Sequence, residues 1–464
     1  MPMPEDGGPT HDAVCGGGRH VPGQRTAPDE RDAPGERQSP ELRGSDGPGP
    51  RTLLVTGAGG AGRTTVAAAI AVATARGGRR TLLLSGETSA TLEAVLGVTG
   101  GPIGSVGPVG ASAAAAPGTD GLLHAARTDA AELFRGAAVT LQERGRKLLD
   151  LLGSDPLDED EVTELPGAGA FAVLSAVRAA HAAGEWDTLV VDLPDTPAAL
   201  RVLALPAQLS RYLRRLLPAE RQAARALRPA LAQLVGVPMP TEALYATAAR
   251  WDAELADVQG LLESPGTAAC LVAEPGPLAA ETLRLGRAGL GLYGLPLQAV
   301  VANRVVPSGS SEPWTASLSG QQQTVLKAWR EEYEREGVAL RELPHLGREP
   351  RGADDLLRLG AETTTDEPAP GAPGAAGTDG AVEDRLAQDG ILVWRLALPS
   401  VRKDELELVR RGDELILGVG PYRRVFPLPS ALRRCRVVGA SLDRGELRVR
   451  CAPDPALWPE GTAG

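Results

Sequence analysis

The sequence lacks the features that would indicate a cysteine-based metal site, a membrane-spanning protein or a general nucleic-acid-binding protein. It has four cysteines, Cys15, Cys270, Cys435 and Cys451, and none of their spacings is that of a metal site. No apolar run is long enough to span a bilayer and no signal peptide opens the chain, so we expect a cytoplasmic protein without direct membrane insertion. The formal net charge of −11 argues against a general nucleic-acid surface.

The chain has 464 residues, which is enough for two or three domains, and 42% of them are hydrophobic, so a large core can form. Glycine and proline, with 57 and 39 copies, concentrate in particular segments. Residues 1–50 hold almost no large apolar side chain and are predicted to be a disordered tail. Residues 361–385 are rich in Thr, Pro, Gly and Ala and are predicted to be a linker. Two folded regions remain, 51–360 and 386–460.

The strongest motif is a glycine-rich loop, Gly57-Ala58-Gly59-Gly60-Ala61-Gly62-Arg63-Thr64-Thr65. A short apolar strand, 52–56, precedes it and an alanine-rich helix, 66–76, follows it. Such a loop directs successive backbone N–H groups inward at a helix N-terminus, which favours phosphate binding. Thr64 lies where a hydroxyl would ligate Mg²⁺. The alternative is a plain glycine turn between strand and helix.

Two further segments follow predicted strands. The run 186–192 is an apolar strand that ends in Asp192, and a carboxylate beside a phosphate loop suits the water shell of Mg²⁺. The alternative is a buried strand with an incidental Asp. Ser85–Leu92 follows the strand 80–84, at the sheet edge where α/β proteins bind ligands. By itself, Glu87 in that segment is indistinguishable from an exposed loop carboxylate.

In this order, the motifs of residues 51–360 resemble those of the deviant-Walker ATPases. They are most similar to the ArsA-type anion-pump ATPases and their relatives that target tail-anchored membrane proteins. Five segments carry the resemblance: the glycine loop, Ser85–Leu92, Leu165-Pro166-Gly167, Asp192–Arg201 and Asn303-Arg304-Val305. The resemblance implies an α/β P-loop NTPase with a mostly parallel sheet and a helical subdomain at about 206–263. It also implies ATP and Mg²⁺ as cofactors and a dimer across the nucleotide face.

The resemblance also implies a set of site residues. Mg²⁺ would be bound by Thr64 and, through water, by Asp192. Glu87 would position the attacking water, and Arg63 would act on the phosphates as the second catalytic residue. Asn303 and Pro344 would lie at the adenine. The full nucleotide-binding set is Gly57, Gly59, Gly60, Ala61, Gly62, Arg63, Thr64, Thr65, Asn303 and Pro344.

Within the segments that carry the resemblance, four positions that bear on catalysis differ from the family pattern. Ala58 and Arg63 replace lysines, Glu87 replaces an Asp that is one methylene shorter, and Ala198 replaces a switch His. The planar fork of Arg is not equivalent to an ammonium point charge. A catalytic group misplaced by about 1 Å can cost on the order of 10²-fold in rate. We therefore expect catalysis to be weakened more than nucleotide binding.

These departures predict a weak or partner-dependent ATPase that couples nucleotide-driven dimer closure to a partner or client. The dimer would be a homodimer or a heterodimer with an intact ArsA-like paralogue, and in the heterodimer one of the two sites would be impaired. The alternative, from another class, is a catalytically inactive scaffold or chaperone-like interaction protein. Arsenite transport is a third hypothesis, for which the sequence offers no usefully spaced cysteines.

Residues 386–460 have a different pattern. Leu392, Trp394, Leu396 and Leu398 alternate with other residues, as expected for an antiparallel sandwich, and Asp443-Arg444-Gly445 is typical of a hairpin turn. The region resembles the α-crystallin-like (small heat-shock) domain found at the end of some ArsA-like proteins. It lacks the terminal I-x-I motif.

A Cys435–Cys451 disulfide is conceivable, but cytoplasmic thiols are normally reduced, so we expect two small core residues.

Two expectations concern helices. Residues 122–153 are predicted to be mainly helical. Leu209, Tyr212, Leu213 and Leu216 recur on one helical face within the predicted subdomain. In the tail-anchored targeting branch of the family this place holds a groove for client helices, which implies a membrane-protein or other polypeptide client. Ordinary packing of a helical layer is the favoured alternative, since the segment has only Met239 where such grooves are rich in Met.

Overall fold

The computed structural model describes residues 49–98, parts of 106–163, 165–216, 242–360 and 380–457. The predicted tail lies outside these ranges except for its last two residues, and so do residues 361–379 of the predicted linker and 217–241 of the helical subdomain. Within the described ranges, no helix combines the length and the hydrophobicity that crossing a membrane requires.

The N-terminal part alternates strands and helices. Its elements are β1 (Arg51–Gly57), α1 (Arg63–Arg76), β2 (Thr81–Ser85), α2 (Ser89–Leu96), β3 (Leu123–Arg127), α3 (Ala168–Ala183), β4 (Thr188–Asp192), α4 (Thr196–Leu216), α5 (Glu242–Leu262), β5 (Thr267–Ala273), α6 (Pro277–Tyr293), β6 (Leu297–Val305), α7 (Pro313–Glu336), β7 (Ala339–Pro344) and α8 (Gly352–Gly360).

Seven parallel strands form the central sheet, in the order β7-β6-β5-β1-β4-β2-β3, and the short strand Ala114–Ala115 pairs antiparallel with β3. β5 and β4 are buried along their whole length, which explains their near-continuous apolar sequence. β1 lies between β5 and β4, with Val55 beside Asp192 on one side and Cys270 on the other. The predicted parallel α/β sheet is confirmed, and the glycine loop leaves its central strand.

Helices cover both faces of the sheet. α1, α2 and α8 pack on one face around residues such as Val66 and Leu359, and α3 to α7 pack on the other around residues such as Leu200 and Trp329. Because both faces of a parallel sheet are buried, ligands bind at the edge where its strands end.

One secondary-structure prediction is wrong in part. Leu123–Arg127, placed in the predicted helical stretch, is strand β3, which pairs parallel with β2 from Thr81↔Leu123 to Ser85↔Arg127. Its sequence, LHAAR, has no β-branched residue, so the strand is decided by the open edge of β2 rather than by propensity. Residues 130–136 after it are helical.

The C-terminal part is an antiparallel sandwich, as predicted. Its strands are β8 (Ala381–Arg385), β9 (Ile391–Ala397), β10 (Leu406–Arg411), β11 (Glu414–Val419), β12 (Tyr422–Pro427), β13 (Cys435–Asp443) and β14 (Glu446–Pro453). They form one sheet in the order β8-β9-β14-β13 and a second in the order β10-β11-β12. Between the sheets, the Trp394 and Phe426 rings meet edge to face at 5.1 Å. β8 begins within the segment expected to be linker, because its backbone pairs with β9.

Two smaller predictions concern the sandwich. Arg444 and Gly445 have φ of 47° and 75° and connect β13 to β14, so the predicted hairpin turn is confirmed. Cys435 and Cys451 are buried, free thiols rather than a disulfide. Burial raises the pKa of Cys451 to about 11, so the thiol stays protonated. Both act as small core residues.

The face predicted within the helical subdomain is only partly covered. Leu209 and Leu213 are half-buried, whereas Tyr212 and Leu216 are 51% and 76% exposed among the described residues. Ordinary packing of a helical layer therefore explains Leu209 and Leu213, but it does not explain why Tyr212 and Leu216 are exposed.

Candidate functional site

The glycine loop lies where β1 ends and α1 begins. Gly62 has φ of 81°, and a Cβ there would lie 2.5 Å from Nδ2 of Asn303, so only glycine fits. That Nδ2 donates a hydrogen bond of 2.8 Å to the carbonyl of Ala61. Nearby, the Arg304 guanidinium donates to the carbonyl of Gly60 at 3.1 Å. Asn303 and Arg304, at the end of β6, thus fix the position of the glycine loop through hydrogen bonds to its backbone.

Asp192, at the end of β4, is the most perturbed group of the site. Burial raises the pKa of its carboxyl to about 6 and the charge of Glu87 adds to the rise, whereas hydrogen bonds from Ser85 and Thr64 and the charge of Arg63 oppose it. The Ser85 hydroxyl donates to Oδ2 of Asp192 at 2.7 Å. The other oxygen, Oδ1, is buried and has no hydrogen-bond partner among the residues that the structure describes. Such an unpaired buried oxygen is costly unless a ligand completes it.

Arg63 and Glu87 both lie near this carboxylate. The Arg63 guanidinium donates a hydrogen bond to the carbonyl of Leu193, the residue that follows Asp192. The backbone N–H of Glu87 donates to the Ser85 hydroxyl at 3.2 Å, and Arg127 from β3 donates to the Glu87 carbonyl at 3.1 Å. The ends of β2, β4 and the glycine loop therefore bring the predicted catalytic and Mg²⁺ residues to one place.

A cleft beside the loop gathers a second group of predicted residues. Gly62, Thr65, Asn303 and Pro344 line a small open cleft. Gly59 and Gly60 form the exposed tip of the loop and do not line it. The predicted nucleotide residues thus divide into a group at Asp192, where phosphate and Mg²⁺ are predicted, and a group that lines the cleft at Asn303.

Three residues at the site have roles that the sequence interpretation did not assign. Ser85 ends β2 and pairs with Asp192, Arg304 contacts the loop, and Arg348 lies in the cleft wall, held by Asp355 at 2.5 and 2.9 Å. Ser85 and Arg304 stand inside motifs that were identified, so position alone could have identified them. No sequence motif pointed to Arg348, because the loop that carries it reaches the site only as a result of the order of the strands in the sheet.

The residues present fit a Mg²⁺ ion. Thr64 supplies a hydroxyl and Asp192 an unpaired carboxylate oxygen, the kind of oxygen ligands that Mg²⁺ takes together with water and phosphate. In the described residues no cluster of three or more His, Cys, Asp or Glu side chains could hold a metal by itself. An ion here would depend on a bound phosphate for its remaining ligands.

Comparison with known proteins gives a consistent result. A family model described as anion-transporting ATPase matches residues 50–364, and a model described as the HSP20-like domain found in ArsA matches residues 389–450. An uncharacterised protein of Streptomyces coelicolor is 52% identical over 89% of this chain and 100% of its own length. A Mycobacterium tuberculosis protein is 33% identical over 88% and 97%. A putative arsenical pump-driving ATPase of Aquifex aeolicus is 25% identical over 62% and 73%.

Proposed function

The chain belongs to the anion-transporting ATPase family, and we propose that it binds Mg-ATP and hydrolyses it slowly or with the help of a partner. One observation carries the proposal. The buried Asp192 keeps one carboxylate oxygen unpaired, beside the Thr64 hydroxyl and the Arg63 guanidinium, at the mouth of a glycine loop. A purely structural carboxylate at this depth would have both oxygens hydrogen-bonded, whereas a carboxylate in a Mg²⁺ shell needs one oxygen left for the water of the ion.

Each residue has a distinct role in this proposal. The loop N–H groups and the N-terminus of α1 hold the phosphates, and Arg63 leaves the Leu193 carbonyl to contact them. Thr64 would hold Mg²⁺ through its hydroxyl, and Asp192 would hold it through water. Mg²⁺, when bound, neutralises the charge that develops on the phosphates. Glu87 orients the attacking water, and Asn303, whose Nδ2 is occupied by Ala61, offers its amide oxygen to the adenine amine.

The four departures from the family pattern explain why hydrolysis is expected to be slow. Ala58 brings no charge, Glu87 places its carboxylate one methylene further out, and Ala198 cannot act as the switch His. Arg63 is a milder change, since it remains cationic. Only three of the 48 Lys and Arg residues of this chain are lysines, so the Arg at position 63 reflects a preference for Arg over Lys throughout the sequence.

A dimer across the edge where the strands end is the second part of the proposal. Three exposed apolar side chains begin helices at this edge: Phe171 on α3, Leu278 on α6 and Trp314 on α7, at 47%, 87% and 71% exposure. Large exposed apolar residues that share an edge are typical of an interaction surface. The second subunit is another copy or an intact paralogue. Closure around nucleotide would then act on a polypeptide or membrane-protein client in the cytoplasm.

The alternative function is a catalytically inactive scaffold or chaperone-like protein. The loss of both lysines favours it, as does an HSP20-like domain at the C-terminus. The two functions differ in nucleotide affinity, since a scaffold needs none. The arsenical pumping named for some relatives receives no support from the cysteines that the structure describes, Cys270, Cys435 and Cys451, which are all buried.

The test is Mg-ATP binding to the full chain by calorimetry. We expect micromolar affinity in the wild type and its loss in Arg63→Ala and Thr64→Ala. The matched control is Arg80→Ala, which removes a surface guanidinium that pairs with Asp187 at the opposite sheet edge. Absence of binding in the wild type would move the protein to the scaffold class. Equal loss in the control would contradict the assignment of the nucleotide site to Arg63 and Thr64.

A second experiment tests partner dependence. Turnover is measured for the chain alone and mixed with an intact paralogue, with Thr64→Ala placed in one subunit at a time. We expect hydrolysis at one of the two sites of the mixed dimer. Equal turnover at both sites would contradict the proposed half-site arrangement.

A further inference from the structure

We infer that Tyr422, in the C-terminal sandwich, positions the start of α4 and with it the loop Leu193–Asp195 that follows the site carboxylate Asp192. The inference rests on the proposed function only for its effect on nucleotide. The positioning itself is a property of the packing. Tyr422 would be a positioning residue that acts through α4, and the sandwich would be part of the nucleotide-responsive unit rather than an appended module.

Hydrogen bonds connect the segment after Asp192 to β1 and to the start of α4. The backbone N–H of Leu193 donates to the Val55 carbonyl at 2.9 Å, and the Thr56 hydroxyl donates to the Pro194 carbonyl at 2.7 Å, which ties the loop to β1. Asp195 then accepts from the Ala198 N–H at 3.1 Å and so caps α4. Any shift of the first turn of α4 is therefore passed to the loop that carries the Arg63 acceptor.

Side-chain packing connects α4 to the sandwich. Leu200, in the second turn of α4, is completely buried, and Tyr422 at the start of β12 is 5% exposed. Both converge on Gly289 of α6. A Cβ at that glycine would overlap Leu200 and lie 3.1 Å from the Tyr422 ring. Because Gly289 has no side chain, the tyrosine of one domain packs over the helix of the other beside Leu200.

The hydroxyl of Tyr422 also responds to charged residues at the start of α4. Burial raises the pKa of Tyr422, with a smaller contribution from Asp195 in the same direction and an opposing one from Arg201. These two residues flank the first turn of α4. The ring thus packs over Gly289 beside Leu200, while its hydroxyl lies within electrostatic reach of the cap residue Asp195 and of Arg201.

Tyr422 cannot move independently of the ATPase domain, because ion pairs anchor its sandwich at two further points. Arg284 of α6 makes bonds of 2.8 and 2.6 Å to the Glu405 carboxylate, and Arg211 of α4 makes bonds of 2.9 and 2.7 Å to Glu414. Paired bonds of this kind fix orientation as well as distance. The apolar cores of the two domains are also continuous. A core packed in this way transmits displacement instead of absorbing it.

The test compares substitutions that disturb the same interface at different points. Tyr422→Ala removes the ring, and Tyr422→Phe keeps it. Gly289→Ala inserts a methyl between Leu200 and Tyr422. Gly291→Ala inserts a methyl 2.7 Å from Pro399 of the sandwich, away from α4, and Gly320→Ala in α7 adds a methyl in open space. The pair Gly289→Ala and Gly291→Ala separates an effect on α4 from general loosening of the interface.

Hydrogen exchange on the full chain without nucleotide is the first measurement. In Tyr422→Ala and Gly289→Ala we expect the amides of 199–203 to exchange at least about tenfold faster, as a locally released helix does. Strand β5 is the internal reference and should keep its protection. The other three variants should match the wild type. The proposal is overturned if Gly291→Ala gives the same increase, or if both test variants keep α4 protected.

Mg-ATP affinity of the same variants is the second measurement. Coupling between sites usually changes affinity by about 5- to 150-fold, and we expect a change in this range for Tyr422→Ala and Gly289→Ala alone. Released α4 amides in a protein that binds no Mg-ATP would reject the proposed function and leave the positioning intact. Unchanged α4 amides in a protein that binds Mg-ATP would reject the positioning alone. If Tyr422→Ala does not fold, Gly289→Ala decides.

Discussion

The site carboxylate is expected to lower the stability of the protein at neutral pH. Burial raises the pKa of Asp192 from 3.8 to about 6. Since each pKa unit corresponds to about 1.4 kcal/mol, the ionised carboxylate costs on the order of 3 kcal/mol of folding free energy at pH 7. Asp192→Asn removes this charge at nearly constant volume. The substitution should therefore make the protein more stable at pH 7 while it abolishes Mg-ATP binding.

The sign of the pH dependence follows from proton binding. Between about pH 4 and pH 6 the folded protein holds a proton on Asp192 that the unfolded chain has lost, so the contribution of this group to stability falls as pH rises. In Asp192→Asn this contribution is absent. The stability difference between variant and wild type should be smallest near pH 4 and should grow by up to about 3 kcal/mol by pH 7. Denaturant unfolding at four pH values, followed by circular dichroism, measures it.

Asp187→Asn is the control, because it replaces a carboxylate with the opposite behaviour. The hydrogen bond from Arg80 holds the pKa of Asp187 below its usual value, so that group adds stability above the unfolded pKa and loses it as pH falls. Its variant should lose stability relative to wild type as pH rises. Parallel curves for wild type and Asp192→Asn from pH 4 to 7 would refute the assignment of a buried, unpaired carboxylate.

Three further outcomes are expected. Mg-ATP affinity should fall about tenfold per pH unit below about 6, where Asp192 becomes protonated, which calorimetry at pH 5 to 8 would detect. Arg63→Lys should raise the rate of hydrolysis about tenfold, because a compact ammonium fits between phosphates better than a guanidinium, and a steady-state assay with and without a partner checks it. Trp394→Ala should lower the free energy of unfolding by about 3–5 kcal/mol, since the ring is 1% exposed and packs on Phe426; a smaller loss would mean that the sandwich repacks.

Much of the fold was predictable because it depends on local patterns. The glycine loop, the strand that ends at Asp192 and the alternation in the sandwich each carry their own signal, and the structure places all of them as expected. Strand β3 was not predictable, since an alanine-rich pentapeptide has no strand signal of its own and pairs only because β2 offers an open edge.

The candidate site was predictable as a set of residue types, but not as a set of contacts. The sequence by itself determined that a phosphate-type loop, a hydroxyl and a strand-end carboxylate would meet at one sheet edge, because parallel strands end together. Only the tertiary structure decided that Asp192 keeps one oxygen unpaired, that Arg63 donates to the Leu193 carbonyl, and that Tyr422 packs beside α4. These contacts join residues far apart in the chain, and their geometry follows from how side chains fill shared space, which periodicity and propensity do not encode.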